Sequence, residues 1–191
     1  RQGYQAGKGI VIVELFEALR ARESCRAYSS KPLEKEKIEK LLEVACMAPS
    51  AGNGQPWRFV AVTDKATLAT LSGMTRTPTI NQWVQQAPCI IAIWEEIDPR
   101  MIARYGEQYL QKHWPVVDSG LCALQLCLAA TGMGIGSCIL GYFPEDEAKK
   151  LLNIPEEGSL RLLITLGYPK EETAPREKRR LTLDKVARFI E

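Results

Sequence analysis

From residue 11 onward, apolar side chains recur at helical spacing (Ile12, Leu15, Phe16, Leu19), predicting a helix that runs to Arg22. Ser29-Ser30-Lys31-Pro32 breaks the pattern. Residues 34–47 form a second, amphipathic helix with Ile38, Leu41, Leu42 and Ala45 on one face and Glu and Lys on the other, and Pro49 stops it. Residues 57–63 read as a strand, after which Asp64 caps a short helix reaching Gly73. Residues 74–79 are irregular and 81–86 weakly helical, whereas the unbroken apolar run 89–94 predicts a buried central strand. Asp98-Pro99 opens a helix to about Lys112, and 116–131 is the most apolar helix of the chain. A helix apolar nearly all round must be covered, here in part by a second subunit. Residues 134–141 turn into a short strand. A helix with an acidic first turn follows over 144–152, then a strand over 160–167, a charged linker to Lys178 and a last helix over 183–190. Helices and strands alternate irregularly, which predicts a layered α+β domain.

At 191 residues the chain is long enough for one domain with a sizeable core, taken as 10–191, with 1–9 read as a flexible tail. The net charge of +2 gives no field to draw nucleic acid or a membrane surface, so neither is expected as a partner. The longest apolar run, 121–133, is short for a bilayer and interrupted by Gln125, Thr131 and Gly132; no secretory signal is visible, and a cytoplasmic protein is expected. The six cysteines form no C-x-x-C pair and His113 is the sole histidine, which argues against zinc or an iron–sulfur cluster; no metal is expected. The cysteines read as reduced, buried thiols.

Four local patterns carry chemistry. Arg22-x-Ser24-x-Arg26 follows a helix and precedes a turn; it reads as an anion site, since guanidinium binds phosphate through paired hydrogen bonds, or as a solvated helix end. The stretch from Ala48 to Phe59 packs small, turn-prone and amide-bearing residues between helix and strand. Gly52 and Gly54 there are expected in backbone conformations barred to other residues, which suits close approach by a ligand, and Ser50, Asn53 and Gln55 offer hydrogen bonds. Lys178-Arg179-Arg180 is a basic surface tail or the second half of a phosphate site. Gly132-x-Gly134-x-Gly136-Ser137 is not a dinucleotide fingerprint, because it follows a helix and lacks the third glycine; it reads as a turn delivering a strand edge. His113 reads as a surface or helix-end residue, and Asp118 as a group satisfying the start of the buried helix. No nucleophile-elbow or P-loop motif is present.

Taken in order, these segments resemble the nitroreductase family over about residues 12–190. The carriers are Arg22-Glu23-Ser24-Cys25-Arg26, the stretch Ala48 to Phe59, the helix from Asp118 into a G-x-G-S turn, Gly167-Tyr168-Pro169 and Lys178-Arg179-Arg180-Leu181. The resemblance implies a three-layer α+β fold with a central, mixed but mostly antiparallel sheet flanked by helices, and an intertwined homodimer with FMN between subunits. It implies hydride transfer from NAD(P)H through FMN to a nitroaromatic, quinone or similar small acceptor by a ping-pong mechanism. By position, Arg22, Ser24, Lys178 and Arg180 would hold the FMN phosphate, with Arg179 as the alternative in register and Glu23 among the cofactor-binding residues beside them. Arg26 would meet the N1/O2 edge of the flavin. Pro49, Ser50 and Asn53 would come from the other subunit, with Gln55 helping to orient that loop. Cys138, Ile139, Leu140 and Gly141 would run past the ring, the Gly141 N–H facing N5.

The chain departs from the family pattern in having no Lys at Asn81-Gln82-Trp83, which shifts weight to Arg26, Asn81 or Gln82. The segment 101–114 would cover the site. A specialised flavin-cleaving or dehalogenating member, or an FMN-binding protein without turnover, remains an alternative.

Overall fold

A computed structural model of the chain describes residues 15–170 and 177–190. The expected tail at 1–9, the start of the first helix and part of the linker before Lys178 lie outside the described residues.

The sheet has four strands in the order β1-β2-β4-β3: β1 (Trp57–Val62), β2 (Cys89–Glu95), β3 (Gly136–Leu140) and β4 (Ser159–Gly167). All three pairings are antiparallel, and among the described residues parallel pairing occurs only at the bridge between Ser24 and Ser137. The apolar run of β2 makes it central. Cys89, Ile91 and Ile93 turn to one face while Ile90 and Ala92 turn to the other, so both faces of the strand are buried.

Helices cover each face, giving three layers. On the first face, α6 (Trp114–Gly132) lies across the sheet with α2 (Lys35–Ala45) packed on it; Ile38, Leu41, Leu126 and Ala130 meet Ile91, Ile164 and Leu166. A fully buried Leu126 removes enough apolar surface to contribute about 1.5–3 kcal/mol. On the second face, α3 (Lys65–Thr75) and α7 (Glu145–Leu151) bring Leu71 and Ala148 onto Ile90, Leu140 and Leu163. The short α1 (Leu15–Ala21) leans on α6 and leaves Leu15, Phe16 and Leu19 exposed.

Caps fall where the sequence puts them. Asp64 accepts the Thr67 N–H at 2.8 Å to start α3. Asp98 accepts the Arg100 N–H at 2.9 Å ahead of Pro99.

Several expectations are corrected. The helix expected over 98–112 breaks into α4 (Pro99–Tyr105) and α5 (Gln108–Gln111), because Gly106 adopts φ 65° and ψ −165°, outside helical space. The last helix is only α8 (Leu183–Val186), since nothing buries its apolar residues. Helix α6 has 19 residues and is, by length and composition, able to cross a bilayer, because Gln125 and Thr131 do not interrupt it. It lies against the sheet instead, yet Val116, Val117, Leu121 and Leu124 remain exposed on its outer face. Cys46 is exposed and Cys25 half-buried, whereas Cys89, Cys122, Cys127 and Cys138 are buried. Burial pushes the thiols of Cys89 and Cys122 up to about 12, so they stay protonated.

Candidate functional site

The segment after α1 turns back along the outer edge of β3. The Cys25 N–H donates to the Ser137 carbonyl at 2.8 Å, forming the parallel bridge at Ser24. Gly136, the first residue of β3, makes this approach possible: a Cβ there would sit 2.7 Å from Cys25 Sγ. Tyr28 anchors the far end of the segment, sharing a 2.8 Å hydrogen bond between its hydroxyl and Thr165 Oγ1. Burial raises its phenol well above the usual range, so Tyr28 is a neutral strut.

Ser24 thereby lies in a depression of about 290 Å³ lined by Arg22, Glu23, Arg26, Glu177, Lys178, Arg179 and Arg180. Clusters from opposite ends of the chain meet here, and cations outnumber carboxylates. All three of the C-terminal basic residues line it, so Arg179 and Arg180 are both within the depression. Guanidinium forks, an ammonium and a hydroxyl are the donor set a phosphate dianion needs. A larger cavity of about 630 Å³ shares Glu23, Ser24, Arg26 and Lys178, and extends over Cys25, Ile135, Gly136 and Ser137.

The edge of β3 continues from this point. Ser137 turns its carbonyl outward to Cys25, and the alternation of strand backbone carries Ile139, and Gly141 just past the strand, to the same edge. A Cβ on Gly141 would meet nothing within 4 Å, so the approach to its backbone is open. Cys138 and Leu140 point their side chains into the second core, leaving only their backbone near that edge.

The loop after α2 lies elsewhere. Ser50 to Gln55 folds as a 3₁₀ turn over Ala51–Asn53, closed by the Asn53 N–H to the Ser50 carbonyl at 3.0 Å and the Gln55 N–H to Ser50 Oγ at 3.1 Å. Gly52, Asn53 and Gln55 have positive φ. Gly54 is in the ordinary right-handed region, correcting the expectation that it needs a glycine-only conformation; crowding by Tyr109 and Met101 is what limits it. Residues 52–55 line a depression with Asp98, Arg100, Met101 and Arg104 that shares no residue with the basic one. Among the described residues, the loop and the basic cluster thus line separate depressions.

Asp118 was expected to serve the start of α6. It instead accepts the Ala51 N–H, with both carboxylate oxygens at 3.1 Å. Burial raises its pKa, the Ala51 N–H partly offsets this, and the nearby Glu95 charge raises it further. Helix α6 starts from His113, an exposed helix-end residue at φ 55°. Asn81 and Gln82 turn their amides back onto the preceding chain, donating to the Thr75 carbonyl at the end of α3 and to the Thr77 carbonyl just after it.

An aromatic group escaped sequence reading. Tyr105, Tyr109 and Trp114 pack edge-to-face and stacked at 5.6–6.4 Å between centroids, and the Tyr105 hydroxyl closes on Gly52. Tyr105 and Tyr109 are four apart, a helical pair, but the Gly106 break hid their common face. Burial and the neighbouring carboxylates push Tyr109 up to about 12.

The Nitroreductase family model matches residues 19–79 and 74–168. A relative from Archaeoglobus fulgidus, provisionally named an NADH dehydrogenase/NAD(P)H nitroreductase, is 36% identical over 163 residues, covering 83% of this chain and 87% of its own. A nitroreductase family protein from Streptococcus pneumoniae superposes with a TM-score of 0.81 at 28% identity, covering 93% of this chain and 100% of its own. An FMN-dependent nitroreductase from Clostridium difficile gives a TM-score of 0.72 at 26% identity, over 90% of this chain and 97% of its own. By family model, sequence relative and fold alike, the chain belongs to the nitroreductase family and is an oxidoreductase.

Proposed function

We propose that the chain is an FMN-dependent oxidoreductase, working as a homodimer, that passes a hydride from NAD(P)H to a nitroaromatic, quinone or similar small acceptor in a ping-pong sequence. The observation that carries this is the convergence of Arg22, Ser24 and Arg26 with Lys178, Arg179 and Arg180 beside the open edge of β3. That donor set fits a phosphate, and the strand edge next to it offers backbone to a flat ring.

Arg22, Ser24, Lys178 and Arg180 would hold the phosphate, with Glu23 and Arg179 lining the same depression. FMN, when bound, supplies the two-electron chemistry; the protein supplies position and charge. Arg26 would place a fixed positive charge at the N1/O2 edge, where negative charge grows on reduction. Cys138, Ile139 and Leu140 would pass the ring, Cys138 and Leu140 by backbone alone, and Gly141 would present its N–H to N5 without a titrating group.

The separation of the 50–55 loop from the basic cluster supports a shared site, in which Pro49, Ser50, Asn53 and Gln55 reach the partner's flavin. The exposed apolar faces of α1 and α6 supply a surface for that partner: Leu15, Phe16, Leu19, Val117, Leu121 and Leu124.

The test is the visible spectrum of the purified dimer under anaerobic NADH and, separately, NADPH. Bleaching of the flavin band, reversed by a nitroaromatic or quinone, is expected. A colourless protein that takes up no FMN, or a bound flavin that neither nucleotide reduces, would overturn the assignment.

A further inference from the structure

Residues 50–54 are tied to the rest of the described protein by one hydrogen bond, from the Ala51 N–H to Asp118. The other bonds of these residues stay within the loop. Side-chain packing of Tyr105, Met101 and Tyr109 against Gly52 and Gly54, and contact of the turn with α6, add to this tie. Asp118 is 3% exposed, and no cation pairs with it among the described residues. A neutral amide acceptor would satisfy one N–H without burying an ionisable carboxyl, so the acid at this position is kept at a cost. Its visible return is the geometry of the turn. Asp118 also belongs to the helix whose outer face carries Val117 and Leu121, so the loop and the apolar face are braced by one rigid element.

We propose that Asp118 is a positioning residue that acts across the dimer: it fixes the Ser50–Asn53 turn of its own chain and so completes the FMN site of the partner subunit. The proposal rests on the shared-site reading above. Asp118 touches no flavin; it sets the backbone that does. The Ser50 carbonyl and hydroxyl are both engaged inside the turn, so losing the Ala51 tie lets the turn shift as a unit away from the interface.

The experiment measures FMN binding, independent of turnover, by flavin fluorescence quenching and by flavin-to-protein stoichiometry. Asp118→Leu should weaken FMN binding about tenfold or more, and Asp118→Asn, which keeps an acceptor oxygen, should recover most of it. Ala51→Pro removes the same bond from the loop side; the extended Ser50 (φ −144°, ψ 154°) accommodates a following proline, and the variant should match Asp118→Leu. It also keeps the test open if Asp118→Leu folds poorly.

The decisive arm is a tagged heterodimer of an Asp118→Leu (or Ala51→Pro) chain with an Arg22→Ala/Arg26→Ala chain. One composite site then has intact arginines and an intact partner loop, so the heterodimer should bind about one FMN where each parent homodimer binds little. No FMN in the heterodimer, or unweakened binding in both loop variants, overturns the role of Asp118. Full FMN binding by the Arg22→Ala/Arg26→Ala homodimer would instead overturn the phosphate site and leave Asp118 to be judged by its own variants.

Discussion

Asp118 accepts the Ala51 N–H through both carboxylate oxygens at 3.1 Å, joining the buried helix to a loop 67 residues earlier in the chain. That contact ties the 50–55 loop to the core through α6. Burial raises the Asp118 pKa, the Ala51 N–H offsets only part of that rise, and the Glu95 charge adds to it.

Arg22→Ala and Arg26→Ala should each weaken FMN binding, since each removes a charged hydrogen bond worth about 1.5–3 kcal/mol. Titration of the apoprotein with FMN checks this. Unchanged affinity in both would mean that the basic depression serves another anion.

Gly52→Ala should destabilise the turn. At φ 55° a side chain costs about 1–2 kcal/mol, and the added Cβ would stand 2.5 Å from the Tyr105 hydroxyl. Urea unfolding should show the loss, and Tyr105→Ala in the same chain should return the steric part while leaving the backbone strain. A Gly52→Ala protein as stable as the parent would contradict the loop conformation.

Glu95 has almost no solvent exposure, and its Oε2 accepts from Arg161 Nε at 2.8 Å while Oε1 has no partner among the described residues. Arg161→Leu strands that carboxylate and should cost about 3 kcal/mol. Adding Glu95→Gln should recover much of the loss, because the pair is a charge and its compensation rather than a source of net stability. Additive losses in the double variant would refute the pairing.

Glu34 accepts from the Tyr168 hydroxyl at 2.6 Å, with Lys37 and Lys31 beside it, and its pKa is held down at about 2. A carboxylate depressed on folding adds stability that is present above its unfolded value, near 4.5, and lost as pH falls through about 2. Glu34→Gln should therefore unfold like the parent at the acid end of that window and more easily above it. The residue is exposed, so the difference is small; an NMR titration of the Glu34 carboxyl gives the sharper measurement, and a midpoint near 4.5 would remove the Tyr168 contact from consideration.

What the sequence determined by itself was what depends on short-range pattern. The two-sided apolar run at 89–94 required a central strand, Asp64 and Asp98 required helix starts, and the order of the Arg22, Ala48–Phe59 and Lys178 segments pointed to one family. The tertiary structure alone decided which distant groups meet. The basic residues at 22–26 and 178–180 are more than 150 positions apart, and nothing in their spacing brings them to one depression; the bridge from Ser24 to Ser137 does so for the first cluster. Asp118 read as part of its own helix because helical periodicity describes neighbours three and four residues away, whereas its partner Ala51 reaches it through packing of a loop on α6. The Tyr105–Tyr109–Trp114 group was hidden for a related reason: Gly106 resets the helical phase, so the common face exists only once the chain has turned. Local chemistry chooses the elements. Long-range packing, which follows from burying both faces of one sheet, chooses the partners.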